Sequence, residues 1–187
     1  MPLLATWGAV QKIPAWSKGL PTITANGADG PANQDAQAVT GMLMAAGAVV
    51  ACLLAPLLGA ALGRRPAYFL LCVVSLAACS FVFRAFTHYD TTFMVTTFFV
   101  GGVSAAFYGW LPLYLPELFP TRIRATAQGI AYNVGRLFAA GGALAGGSLV
   151  AYLGGYQGMG AALCLVYIIG MIAIWFAPET KGKPLPE

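Results

Sequence analysis

The chain has 187 residues, 59% of them hydrophobic and only 16 charged, 10 Lys and Arg against 6 Asp and Glu. Charged residues make up 9%, where an ordinary soluble domain carries about 25%, and the mean hydropathy is +0.75. This composition excludes a soluble enzyme, a disordered chain and a nucleic-acid binder, since the net charge of +4 is scattered in pairs, and it leaves a polytopic membrane protein.

Residues 1-16 are apolar but too short to span a bilayer. They lack the basic start and long apolar core of a signal peptide, so they read as the outer half of a helix whose beginning is missing. Residues 17-36 are rich in Gly, Pro, Asn and Asp and form an extracytoplasmic connecting loop with room for a short helix. Beyond them, uncharged runs measure the spans. There are 28 uncharged residues between Asp35 and Arg64, 18 between Arg65 and Arg84, 26 between Asp90 and Glu117, and 42 between Arg136 and Glu179. A crossing helix needs about 20. The longest run breaks near Gly154, Gly155 and Gln157.

The predicted spans are 38-62, 67-86, 92-117, 125-152 and 157-177. Residues 37-177 thus make a five-helix transmembrane bundle, followed by a tail over 178-187. The runs are continuous and not alternating, which selects helices over a barrel. The fold class is an all-α membrane protein, with about five full transmembrane helices plus a partial sixth. One side carries Arg64, Arg65, Arg122, Arg124, Lys181 and Lys183; the other carries Lys18 and Arg84, with Lys12 near it. The cation-rich side is expected to be cytoplasmic, with the C-terminus inside, in the plasma (inner) membrane.

Arg136 is the costliest residue to place. It lies 12 positions after Arg124, about 18 Å into a core roughly 30 Å thick. An Arg at that depth costs about 2.5–3.5 kcal/mol on insertion scales, so it should face protein or a water-filled cavity. Gln128, Tyr132 and Asn133 precede it on neighbouring positions of the same helix. A guanidinium there suits a carboxylate substrate; the alternative is a structural Arg satisfied by backbone carbonyls. Phe107, Trp110 and Tyr114 recur at helical spacing, with Tyr108 to one side. They read either as an aromatic cavity wall or as ordinary packing. Trp7, Gln11 and Trp16 pose the same choice, with Gln11 the foremost cavity residue. Pro112 and Pro116 bend the helix that carries the aromatic face.

Other features read blandly. Cys52, Cys72, Cys79 and Cys164 lie in spans without metal-ligand spacing. His88 is a loop residue. Gly142 and Gly146 form a GxxxG pair suited to close helix packing. No nucleophile triad or metal set exists, so neither an enzyme nor a cofactor is expected.

Three stretches resemble the major facilitator superfamily. Gly63-Arg64-Arg65-Pro66 looks like the end of its loop motif GxxxDRxGRR. Residues 116-126, PELFPTRIRAT, look like its segment between helices 10 and 11. Pro178-Glu179-Thr180-Lys181-Gly182 is similar to the PETKG sequence of sugar-porter-like members. The resemblance implies half of a major facilitator fold: the end of helix 7 in residues 1-16, then helices 8 to 12. It implies a secondary transporter, symport included, that works by alternating access between two six-helix halves. Its partners would be the lipid bilayer, a small solute and a missing N-terminal six-helix half, with no nucleic acid.

Transporters of organic anions and aromatic acids in this superfamily often carry an Arg at this depth of helix 11, which Arg136 resembles and which favours an organic anion. PETKG pulls toward a sugar, and a truncated non-transporting fragment is the further alternative. Expected substrate contacts are Arg136, Tyr132, Asn133, Gln128, Trp110, Phe107 and Gln11. The expected cytoplasmic gate is Arg64, Arg65, Glu117, Arg122 and Arg124; otherwise the cations there are only topology signals. In the loop motif Ala60 and Ala61 replace the family's Asp and Arg, and Pro56 replaces its first Gly, so the usual acidic cap is missing from this turn.

Overall fold

The computed structural model describes residues 2–23, 29–144 and 146–186. The N-terminal stretch is helical in three pieces: α1 (Pro2–Gly8), a 3-10 turn (Val10–Lys12) and α2 (Ile13–Ser17). Pro14 accounts for the break. It has no N–H to give the Val10 carbonyl, which is taken by the Ile13 N–H in a tighter turn.

The uncharged runs then appear as helices: α3 (Ala36–Leu62), α4 (Arg64–Ala85), α5 (Thr91–Leu118), α6 (Arg124–Leu144) and α7 (Gly146–Tyr152). Last come α8 (Tyr156–Cys164) and α9 (Val166–Ala173), closed by a 3-10 turn at Ile174–Phe176. Among the described residues, four segments are long and apolar enough to cross a membrane: Ala36–Leu62, Arg64–Ala85, Thr91–Leu118 and Tyr156–Phe176. The stretch expected at 125-152 is not among these four. Gln128, Asn133 and Arg136 lower the hydropathy of α6, and residue 145 between α6 and α7 lies outside the described residues.

The loop over 17-36, which has room for a short helix, holds two strands. β1 (Pro21–Ile23) pairs antiparallel with β2 (Asp29–Ala32). Thr22 and Ile23 are β-branched and favour the extended chain, and the Thr22 hydroxyl donates to the Pro31 carbonyl at 2.8 Å. The Tyr89 N–H donates to Pro21 O at 2.8 Å, which ties this hairpin to the connection between α4 and α5. There Asp90 caps α5, its carboxylate accepting from the Phe93 N–H at 2.7 Å.

The closest helix pair is α3 against α5. A Cβ on Gly101 would lie 2.5 Å from Met44 Cα, and one on Gly47 or Gly109 would strike the backbone of Phe98 or Cys52. Without hydrophobic driving force in lipid, such backbone contact is where packing energy is gained. Cys52 adds a hydrogen bond from its thiol to Ala105 O at 3.2 Å. Of the GxxxG pair expected at Gly142 and Gly146, only the surroundings of the first are described. A Cβ on Gly142 would meet the Leu4 side chain, at 3.4 Å from Cγ and 3.8 Å from Cδ2, and the surroundings of Gly146 lie outside the described residues. At the hairpin end, Trp16 of α2 is buried between Phe83 and Phe93, with ring centroids 5.6 and 5.7 Å away. This anchors the N-terminal helix in the bundle.

Candidate functional site

Two groups of polar residues stand out, one at the tail end of the bundle and one along α6. At the tail end, α3 stops at Gly63, whose φ of +101° lies in the left-handed region that favours glycine. The chain re-enters a helix at once, and α4 begins with Arg64 and Arg65. Two cations in a first turn oppose the helix dipole. The tail supplies the compensation. Glu179 accepts from the Arg64 N–H at 2.9 Å and the Arg65 N–H at 3.0 Å, and also from the N–H groups of Thr180 and Lys181, both at 3.0 Å. Partial burial acts to raise the Glu179 pKa, but the four N–H donors outweigh it and hold the carboxyl below its usual range. A Cβ on Gly63 would crowd Glu179 Oε2 at 3.2 Å, so the glycine also makes room for this carboxylate.

The side chain of Arg64 turns to α5. Its Nε and NH2 donate to the two oxygens of Glu117 at 2.9 and 2.6 Å, a fork-to-fork pair, and its NH1 donates to Gly59 O at 2.7 Å. The pair keeps little water contact, the Arg64 side chain being 10% exposed and that of Glu117 17%. The Thr180 hydroxyl donates to Glu117 Oε2 at 2.5 Å, Arg65 Nε to the Ala177 carbonyl, and the Tyr114 hydroxyl to Pro178 O at 2.7 Å. The last residues of the chain thus join α3, α4 and α5.

Arg124 stands apart from the Arg64–Glu117 pair. Pro120 has no N–H for the carbonyl of Pro116, and α5 ends there. Arg124 Nε donates to Pro116 O at 3.0 Å and to Phe119 O at 3.2 Å, and its NH2 to Pro186 O at 3.1 Å. It holds the corner between α5 and α6. Arg122 is exposed in that corner.

The second group lies along α6. Arg136 is exposed, and among the described residues no carboxylate pairs with it. It lines a cavity of about 200 Å³ with Trp7, Ala139, Ala140 and Ala143. The three alanines follow Arg136 at helical spacing and leave open the space beside its guanidinium. Trp7 is 45% exposed, and its indole lies near the Tyr108 hydroxyl, as do Tyr132 and Arg136. A second cavity, of about 150 Å³, is lined by Gln11, Tyr108, Thr6 and Ser104 among others. The set offers one cation, several hydroxyls and an indole, which suits a small anion with an apolar body.

The expected site residues divide between these surroundings. Arg136, Tyr132, Gln128 and Gln11 all keep solvent contact, and Arg136 and Gln11 line the two cavities. Asn133 is exposed, but its amide donates to Gly129 O on its own helix at 2.8 Å. Phe107 and Trp110 lie on neither cavity. Each is only 1% exposed, Phe107 packed between Tyr68 and Tyr167 and Trp110 between Tyr68 and Tyr114. Tyr108, Trp7 and Glu179 join these two groups although they are not among the expected substrate and gate residues. Tyr108 directly follows Phe107, which places it on another face of α5. The signal for Glu179 was present as an acidic residue missing from one motif and found in another.

The family model of the Major Facilitator Superfamily matches residues 24–187. A probable 4-methylmuconolactone transporter of Cupriavidus pinatubonensis is 33% identical over 122 residues, 65% of this chain and 28% of that protein. A cis,cis-muconate transport protein of Acinetobacter baylyi is 44% identical over 82 residues, 41% of this chain and 19% of that protein. Human solute carrier family 22 member 11 is 38% identical over 82 residues, 41% of this chain and 14% of that protein. The chain thus covers less than a third of the length of each of these curated relatives.

Proposed function

Because this chain belongs to the Major Facilitator Superfamily and is a multi-pass membrane protein, we propose that it is the C-terminal half of a secondary transporter of organic anions. In this reading α1 and α2 are the end of helix 7, α3 to α5 are helices 8 to 10, α6 with α7 is helix 11, and α8 with α9 is helix 12. An N-terminal six-helix half completes the cavity, and the C-terminal tail faces the cytoplasm of a plasma (inner) membrane.

The observation that carries the proposal is Arg136: a cation in the middle of α6, without a carboxylate partner among the described residues, open to a cavity walled by an indole and three alanines. An unpaired guanidinium at membrane depth is costly, and a bound anion offsets that cost. Its fork presents two parallel N–H groups to a carboxylate. The named substrates of two relatives, cis,cis-muconate and 4-methylmuconolactone, support this class and make muconate the probe of choice. The Arg64, Glu117 and Glu179 cluster is then the cytoplasmic gate, which closes when the tail is docked and opens when these bonds separate.

The test is cis,cis-muconate binding to the purified protein in detergent, wild type against Arg136→Gln, with glucose as competitor. We expect at least a tenfold loss of muconate affinity in the variant and no competition by glucose. Unchanged muconate affinity removes Arg136 from the site, and displacement by glucose moves the assignment to a sugar porter.

A further inference from the structure

A third cavity, which shares no lining residue with the other two, lies where α3, α4 and α5 meet. It is a groove of about 430 Å³ whose lining includes Ala51, Ala55 and Ala61 of α3, Leu71 of α4, and Val103 and Ala106 of α5. The groove exists because α3 packs along α5 far more than along α4, which leaves a gap between neighbours in sequence. Alanines form its floor. Leu54 and Leu57, exposed on α3, form part of its walls.

Three observations identify an occupant. All the lining residues are apolar, so the groove takes hydrocarbon. It follows α3 from Ala51 to Ala61, a rise of ten residues, about 15 Å at 1.5 Å each. That is half of a hydrocarbon core roughly 30 Å thick, the depth of a single leaflet. The end of the groove at Ala61 is marked by a cation, since the Lys181 ammonium donates to the Ala61 carbonyl at 2.6 Å and is otherwise exposed. An ammonium has three N–H donors, so two are left for a further acceptor. Hydrocarbon for one leaflet's depth with a cation at its polar end matches one amphiphile in both chemistry and length.

We propose that the groove between α3 and α4 seats an acyl chain of an anionic glycerophospholipid from the leaflet on the tail side, with the lipid phosphate on Lys181. The lipid wedges the gap between α3 and α4 and holds the tail against the end of α3. Bulk lipid would cover this surface without choosing a headgroup; the position of Lys181 makes the choice.

The experiment is native mass spectrometry of the chain in detergent with equimolar phosphatidylglycerol and phosphatidylcholine. Phosphatidylglycerol should be retained about fivefold over phosphatidylcholine. Lys181→Gln should abolish the preference, while Lys183→Gln, which removes the same charge two residues away, should preserve it. Phosphatidylglycerol with a photoreactive acyl chain should cross-link to the peptide spanning 51–61. Equal retention of the two lipids overturns the proposal, as does a preference that Lys181→Gln leaves intact. Cross-links confined to other helices also overturn it and assign the groove to a helix of another chain. Thermal melting of both variants at the wild-type temperature verifies that the fold is kept.

Discussion

Arg64 and Arg136 are the same side chain in opposite circumstances. Arg64 has hydrogen bonds from its backbone N–H, its Nε and both terminal nitrogens, and a carboxylate lies flat against its fork. Arg136 has an open cavity, three alanines and an indole. A guanidinium whose three nitrogens all donate to the protein has little left to offer a solute, and its removal should show in stability. One whose donors are free contributes little to the fold, and its removal should show in binding. The contrast separates a structural arginine from a ligand-binding one without reference to sequence position.

The largest effect that sharpens this contrast is expected from Glu117→Ala. It strands Arg64 in a place where little water reaches, and should cost about 3 kcal/mol, the low end for breaking a buried pair, because the partners retain some exposure. Thermal or SDS-induced unfolding reads it, and Glu117→Gln should lose less because a hydrogen bond survives. Arg136→Gln should melt within about 0.5 kcal/mol of the wild type while losing the tenfold in muconate affinity, roughly 1.4 kcal/mol. A large loss of stability in that variant would erase the distinction between the two arginines.

A smaller effect is expected from acid. Glu179 has a lowered pKa in the fold, so it binds protons less readily folded than unfolded. Its contribution is complete above the unfolded value of about 4.3 and is lost as pH falls through the lowered folded value. Melting temperature followed from pH 7 to pH 3 should therefore drop less in Glu179→Gln than in the wild type. At neutral pH Glu179→Ala should cost about 1 kcal/mol, as loss of a helix cap does. The smallest effect belongs to Asn133→Ala. Its exposed amide serves only its own helix, and a change within about 0.5 kcal/mol in stability is expected.

The helices were legible because charge is excluded from lipid-spanning segments, and the uncharged runs coincide with α3, α4, α5 and the α8–α9 segment. The ends were less so. The span expected to begin at 67 begins at Arg64, since two arginines in a first turn look unfavourable until a carboxylate from the far end of the chain is in view. The strands in the first loop were missed because Gly, Pro and Asn signal a loop whether or not its arms pair. The aromatic positions show the limit most clearly. Periodicity groups Phe107, Trp110 and Tyr114 on one face of α5, but a core face and a cavity face have the same period. Only the neighbours Tyr68 and Tyr167, far away in sequence, determine which it is. Arg136 was legible for the opposite reason: a charge in an apolar helix is conspicuous without knowledge of any neighbour.

The Glu179 contact also sets a clock. The carboxylate that caps α4 lies 115 residues downstream of Arg64. At about 5–20 residues per second of synthesis, roughly 6–23 s separate the two ends of that bond. Throughout that interval α4 sits in the nascent chain with two arginines against an uncapped dipole. Completion of its first turn waits for Glu179, and it reports that this residue has been made and has reached its place.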